Sequence, residues 1–290
     1  MRIKNTYSVR STPQLVSLLE QMGISYKVLE LFQPALVQFR LYDDDIRKKE
    51  IEAQLTDQRL IIPEAIFTKS EYEEATWYRF MPKYDKILTS DSTLTYSFFC
   101  KNSDKTTNSD STHKHQIGYH RLSKSPRWPK EICILSGEGN YNQRWFTNNA
   151  TRALLESTDI SGLRFDPVLS EKNDQQIADA WQIVFENTLP EDSLVLGKEY
   201  GIRSVVTCEN CGEKRYIVCP HTYQLHLYDE YLSDQDIYMT QAVFGEGYGY
   251  HIVIGSKKFY LFLKETALDK YFNIHPIKTM KNECNRGRLA

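Results

Sequence analysis

Long apolar runs are missing from this sequence: no stretch approaches the roughly twenty consecutive apolar residues with which a helix crosses a bilayer. No apolar run follows the basic residues of Met1-Arg2-Ile3-Lys4-Asn5-Thr6-Tyr7 either. A secretory leader is therefore not read there, and a cytoplasmic protein is expected. Charge of one sign is also missing. The 36 Lys and Arg residues stand against 38 Asp and Glu, a formal net charge of -2, so the chain as a whole has no electrostatic pull on a phosphate backbone and a nucleic-acid partner is not expected. Cysteine is sparse, six in 290 residues, which points to free thiols or a metal site rather than a disulfide framework. Catalytic signatures are absent as well: no G-x-S-x-G elbow, Walker loop, H-E-x-x-H or dinucleotide glycine fingerprint occurs. Gly245-Glu246-Gly247-Tyr248-Gly249 lacks the helix signals of a phosphate cradle, and Asp43-Asp44-Asp45 suits a helix N-terminus without any catalytic role. No catalytic residue is assigned, and the chain reads as a binder rather than an enzyme.

What is abundant is aromatic. The sequence holds 19 Tyr, 13 Phe and 4 Trp, more than a core of this size needs, so several rings are expected at the surface or at an interface. The remaining composition, 41% hydrophobic and 26% charged, is that of a globular protein. The pattern indicates a mixed α+β fold of two sub-domains. An N-terminal α/β domain is expected over residues 1–97, a polar loop or linker over 98–126, and a second α/β domain over 127–290.

In the first region Thr12 caps a helix with Pro13 at its first position, Leu15, Leu18, Leu19 and Met22 form its apolar stripe, and Gly23 suits the left-handed residue that ends it. Alternating strands follow at Tyr26-Lys27-Val28-Leu29-Glu30-Leu31 and Val37-Gln38-Phe39-Arg40-Leu41. A second helix from about Asp44 places Ile46, Ile51 and Leu55, and Thr68-Lys69-Ser70-Glu71 has the spacing of a capping box for a third. Residues 101–120 are almost wholly polar, and their His113, His115 and His120 are read as solvated rather than as metal ligands.

The second region contains a repeated unit, about 139–168 and 247–277. Each copy runs from a Gly-rich lead-in through a strand and a capped helix to an alternating strand closed by an apolar-x-Pro-apolar ending, Phe165-Asp166-Pro167-Val168 and Ile274-His275-Pro276-Ile277. An offset of 108 aligns Phe146 with Ile254 and Leu155 with Leu263, and an offset of 109 aligns Phe165 with Ile274 and Pro167 with Pro276. Thr147 and Ser256 are the expected N-caps. Ala150, Ala153 and Leu154 are the expected inner face of the first helix, and Phe259, Phe262 and Leu263 that of the second.

Between the copies lie two constellations. Cys208-Glu209-Asn210-Cys211-Gly212 is a C-x-x-C turn that lets two thiolates reach one metal, and a hairpin through Lys214 to Val218 would bring Cys219 and His221 back to complete a Cys3His zinc shell. The competing reading is the remnant of a knuckle, with Cys219 in a strand and His221 exposed. No cofactor other than zinc at this site is expected. The second constellation is acidic and aromatic. No Lys or Arg lies between Tyr216 and Ser256, whereas Tyr228, Asp229, Glu230, Tyr231, Asp234, Asp236 and Tyr238 cluster there. Such a segment suits a basic protein partner, the rings supplying contact area at low entropy cost. An acidic solvated face over core tyrosines is the alternative.

The Cys208-x-x-Cys211-Gly212 pair, the Ser233-Asp234-Gln235-Asp236-Ile237-Tyr238 segment, the Gly-rich helix entry and the closing proline strand together resemble the double-CXXCG-motif immunity proteins of bacterial polymorphic toxin systems. The resemblance covers roughly residues 132–277. One CxxCG is missing, Cys100 and Cys133 being isolated, so a two-knuckle zinc site lacks its second half. The resemblance implies a cytosolic protein that binds a cognate toxin, such as a basic nuclease, and blocks it without turnover. A zinc-ribbon nucleic-acid-binding or regulatory protein centred on residues 208–221 is the competing functional reading.

Overall fold

The computed structural model describes residues 1–32, 34–55, 59–83, 87–88, 96–98, 114–116, 118–137, 144–197, 202–208, 212, 214–218, 224–232, 234–245 and 250–281. It is a mixed α+β protein that divides into two compact units, Met1–Glu73 with Pro220–Gln224, and Glu74–Cys219 with Leu225–Ala290. No helix among the described residues is long and apolar enough to cross a membrane.

The first unit runs β1 (Arg2–Arg10), α1 (Pro13–Gln21), β2 (Tyr26–Leu29), β3 (Leu36–Tyr42), α2 (Lys48–Ala53), β4 (Arg59–Ile66) and α3 (Lys69–Glu74). Its sheet has the order β2-β3-β1-β4 with every neighbouring pair antiparallel. Both β1-α1-β2 and β3-α2-β4 therefore cross over a strand that belongs to the other, the split β-α-β arrangement of a ferredoxin-like unit. Alternation decides which face is covered: Tyr7, Val9, Val37, Phe39 and Leu41 point toward Leu15, Leu19 and Ile51 of the helices and form one buried cluster. Thr12 caps α1, its hydroxyl accepting from Leu15 N at 3.2 Å, and Gly23 follows with φ +64. The capping box forms too, Thr68 N donating to Glu71 Oε2 at 2.8 Å and Glu71 N to Thr68 Oγ1 at 3.2 Å. The second helix starts later than expected. Asp45 instead accepts from Arg47 N and from its guanidinium, a local turn that holds the carboxyl down at about 2 and leaves Ile46 exposed. The β2 strand also stops at Leu29, and Leu31 lies in the open turn beyond it.

The second unit begins with β5 (Trp77–Pro82), β6 (Ile87–Leu88), β7 (Tyr96–Phe98), β8 (Lys114–Gln116), β9 (Arg121–Leu122) and β10 (Ile134–Gly137). There follow β11 (Trp145–Thr147), α4 (Asn149–Glu156), β12 (Leu163–Ser170), β13 (Gln176–Phe185), β14 (Thr188–Leu189), β15 (Ile202–Thr207), β16 (Lys214–Val218) and β17 (His226–Tyr228). It ends with β18 (Ile237–Thr240), β19 (Val243–Phe244), β20 (Val253–Ser256), α5 (Lys257–Glu265), β21 (Phe272–Pro276) and β22 (Lys278–Met280). The division after Glu73 rather than at residue 97 follows from β5, which lies between β20 and β21 in a sheet of order β14-β18-β20-β5-β21. Nor is the whole of 98–126 a polar linker. Leu122 is fully buried with Leu135, Phe146, Val168 and Ala180, and the His120 ring sits 4.6 Å from that of Phe146. His113 lies outside the described residues, as does the side chain of His115.

The repeated unit takes the same form twice. In the sheet of order β6-β10-β11-β13-β12-β9, β13 lies between β11 and β12 and is antiparallel to both; β5 stands likewise between β20 and β21. The registers agree residue by residue. Trp145-Ile183-Phe165, Phe146-Gln182-Asp166 and Thr147-Trp181-Pro167 line up across the first sheet; Val253-Phe80-Ile274, Ile254-Arg79-His275 and Gly255-Tyr78-Pro276 line up across the second. The offsets of 108 and 109 thus hold in space. Equivalent interior strands even place a buried polar residue at the same point, Gln182 exchanging bonds with Gln116 at 2.9 Å and Arg79 donating to Nδ1 of His275 at 2.6 Å.

Two local expectations shift by one residue. The N-cap of α4 is Asn148, whose Oδ1 accepts from Thr151 N at 2.9 Å, because Thr147 is still in the strand and gives its hydroxyl to Cys133 O. The later cap rotates the helix, so that Thr151 and Leu155 are buried rather than Ala150, Ala153 and Leu154, matching Phe259 and Leu263 of α5. Ser256 caps α5 as expected, accepting from Phe259 N at 3.2 Å.

Gly162, between α4 and β12, has φ +92, and a Cβ there would sit 2.5 Å from the Ile237 carbonyl oxygen. Gly162→Ala is expected to destabilise the protein by about 3 kcal/mol or more, from strain plus displacement of β18. Gly23→Ala, left-handed but with open space around it, should lose about 1 kcal/mol. Urea unfolding of the two variants checks the difference.

Candidate functional site

The acidic aromatic segment emerges from β17 as a 3-10 turn, Asp229–Tyr231, and re-enters the fold at β18. Asp229, Glu230 and Asp234 are exposed, while Tyr228 and Tyr231 are half-buried. Their position is fixed by the strands on either side: β17 pairs in parallel with β22, and Leu227 forms an antiparallel bridge with Leu194. That bridge has a further effect. Leu194 follows a second 3-10 turn, Glu191–Ser193, so the acidic turns Glu191–Ser193 and Asp229–Tyr231 flank the Leu194–Leu227 bridge. The carboxylate field there is visible in Tyr216, whose hydroxyl donates to Glu191 Oε2 at 3.1 Å: burial, Glu191 and Asp192 push its pKa up to about 12. Sequence reading did not find Glu191 and Asp192. Leu189-Pro190-Glu191-Asp192-Ser193 marks a turn, but only the tertiary bridge ties it to the strand that leads into Asp229 and Glu230.

The other two members of the segment serve the scaffold. Tyr238 is buried, its ring tilted against that of Trp77 with centroids 5.8 Å apart, and its hydroxyl accepts from the backbone N–H groups of Asp234 and Gln235 at 3.3 and 3.2 Å. Asp236 joins the two repeated units. Its Oδ1 accepts from Ser256 Oγ at 2.7 Å, the cap of α5, and its Oδ2 from Ser161 N at 3.1 Å in the loop after α4. Its backbone continues the tie, Asp236 N donating to Ser161 Oγ at 3.0 Å and Ser256 N to Asp236 O at 2.7 Å. Lys258 adds a cation, 3.3 Å from Asp236 Oδ2 and 2.9 Å from Asp159 Oδ2. Burial raises the Asp236 pKa, but the bonds from Ser256 and Ser161 and the charge of Lys258 outweigh it, so the carboxyl is held below its ordinary range.

For the cysteine constellation, residues 214–218 are one strand, β16, rather than a hairpin that returns Cys219 and His221; the hairpin is β15 with β16, Thr207 pairing with Lys214 at its closed end. Cys208 is half-buried at the start of the turn, and Gly212, with φ +75, donates its N–H to Cys208 O at 2.8 Å. That is the backbone a C-x-x-C-G knuckle requires. Cys211, Cys219 and His221 lie outside the described residues. The strand that leads to Cys219 ends at Val218, which pairs with Ile202 at the far end of the hairpin, so the chain leaves β16 away from the Cys208 turn. Among the described residues no three His, Cys, Asp or Glu side chains are grouped to hold a metal ion. Of the four expected ligands only Cys208 is described, on a turn whose Gly212 backbone suits a knuckle.

No family model, curated protein or solved structure matches the chain.

Because the Asp236 carboxyl has a depressed folded pKa, its stabilisation is present above the unfolded value of about 4 and is lost as pH falls through the folded pKa. Asp236→Asn should lower stability by about 2 kcal/mol at pH 7, and the gap to wild type should close as the solution is acidified. Asp229→Ala and Glu230→Ala should stay within about 0.5 kcal/mol of wild type throughout. Chemical denaturation at a series of pH values gives all three comparisons; an Asp236→Asn gap that widens in acid would sink the assignment.

Proposed function

We propose that this chain is a cytoplasmic immunity-type protein, which binds a basic toxin domain and occludes it without turnover. The supporting observation is a pair of acidic turns, Glu191–Ser193 and Asp229–Tyr231, that flank the Leu194–Leu227 bridge, with Tyr228 and Tyr231 half-buried in the second. Fixed carboxylates of one sign raise the association rate of a basic partner, and flanking rings with two side-chain torsions each add contact area with little loss of entropy. The sequence resemblance supports the same reading. Because the turns stand on paired strands, the surface is pre-organised, which favours tight binding over induced fit.

A second reading keeps its own support. The left-handed Gly212 under Cys208 is the backbone of a zinc knuckle, which suits a zinc-ribbon protein that binds nucleic acid or regulates it. Cys208 and Cys211 would hold the metal, whose contribution would be structural.

Affinity capture from the native host, followed by toxin assays with the purified chain in excess, tests the first reading. A toxin-domain protein should be recovered and its activity blocked, and Asp229→Lys with Glu230→Lys should weaken inhibition about tenfold or more while melting at the wild-type temperature. Inhibition unchanged by the double reversal contradicts the proposed surface. Stoichiometric zinc together with salt-dependent DNA or RNA binding would favour the second reading instead.

A further inference from the structure

Helices α1 and α2 cover one face of the sheet of the first unit. Strand pairing defines the other face row by row: Leu29-Leu36-Arg10, Lys27-Gln38-Ser8-Leu60, Arg40-Thr6-Ile62 and Tyr42-Lys4-Glu64. Gln38 Nε2 donates to Ser8 Oγ at 3.1 Å, as two residues opposite each other on one face must. Alternate positions of these strands carry the buried cluster, so this face carries the polar set by the same alternation. Leu60 is 58% and Ile62 46% exposed, side by side along β4.

Charge on this face is uneven. Lys4 is held by Glu64 and Arg2 by Asp44, but Arg10, Lys27 and Arg40 are exposed and have no carboxylate partner among the described residues. Carboxylates Glu20 and Glu52 bond tyrosines Tyr26 and Tyr7, whose side chains belong to the helix side. With strands about 4.8 Å apart and alternate residues about 6.8 Å apart, the three cations are spaced about 8 to 14 Å from one another. Next to them the face turns hydroxyl and amide, and then apolar at β4.

We propose that this open face is a second interaction surface, which docks an acidic amphipathic protein segment, its carboxylates on Arg10, Lys27 and Arg40 and its apolar side on Leu60 and Ile62. Charge complementarity selects the acidic partner, and the adjacent apolar edge selects protein over a simple polyanion. Nucleic acid fits less well. Binding of single strands on a sheet uses exposed rings as stacking platforms, whereas the open positions of β1 and β3 are Thr6, Ser8, Gln38 and Arg40, and the Tyr42 ring is already covered by the Arg2 guanidinium at 4.1 Å.

The test is fluorescence anisotropy on the full chain with a labelled helical peptide in which Glu residues flank a Leu stripe, with the Lys-for-Glu version of the same peptide, and with a labelled oligouridine. The Glu peptide should bind in the micromolar range, more weakly as salt rises, and the Lys peptide should not. Arg10→Glu/Lys27→Glu/Arg40→Glu and, separately, Leu60→Ser/Ile62→Ser should each weaken the Glu peptide about tenfold. Both variants replace exposed side chains, and unchanged melting curves establish that they fold. Absence of Glu-peptide binding, equal binding by either variant, or oligouridine bound more tightly than the peptide would overturn the proposal.

Discussion

The carboxylate of Asp236 sits where the two repeated units meet, alongside the pairing of β14 with β18 and the contact of the Trp145 and Phe272 rings. Taking a charge partly out of water costs several kcal/mol, and only well-placed donors return it. Here they come from both repeated units, Ser161 in the loop after α4 and Ser256 at the start of α5, with Lys258 alongside. Ser256 has a double duty, since its hydroxyl also accepts from Phe259 N and so begins the helix. Gly162 makes the same junction tight in another way, allowing the loop to approach the Ile237 carbonyl as no side chain would permit. The junction contributes specificity more than net stability: it fixes which loop meets which helix.

On that junction rest two sheets of one design. Each parallel strand-helix-strand crossover is split by an antiparallel strand, which lets a short unit share its hydrogen bonds with a distant segment. The ferredoxin-like unit at the N-terminus uses the same device twice. What differs is what each part offers to solvent. Acidic turns lie at the edge of the larger unit, and a cationic sheet face lies on the smaller, although the chain as a whole is nearly neutral. Net charge alone therefore described neither surface.

Local chemistry was legible in the sequence, and tertiary placement much less so. Thr12 before Pro13, the Thr68 and Glu71 pair, Ser256, and Pro276 at the end of β21 each act through neighbours a few residues away, and each stands where the pattern put it, whereas Pro167, expected to close its strand, lies inside β12, which passes an irregularity and runs on to Ser170. The repeat was readable because its apolar spacing is local. Its third strand was not: β5 comes from about 170 residues before β20, and β13 from after its own copy, so no common linear order exists. Asp236 and Tyr238 looked like surface because their neighbours are polar, yet both are claimed by partners far along the chain. His120 is the same case in reverse, a polar stretch whose last member belongs to a core.

The two repeated units form one cooperative body with Asp236 at their junction. Native-state hydrogen exchange of the full chain, read at the amides of Ser161, Asp236 and Ser256 and along the strands β11 to β13 and β18 to β21, distinguishes one body from two. The slowest amides of both copies should exchange with the same opening free energy and denaturant dependence, with the junction amides close behind. Two separate limits, with junction amides exchanging freely, would mean that the copies are independent folding units and that Asp236 joins nothing.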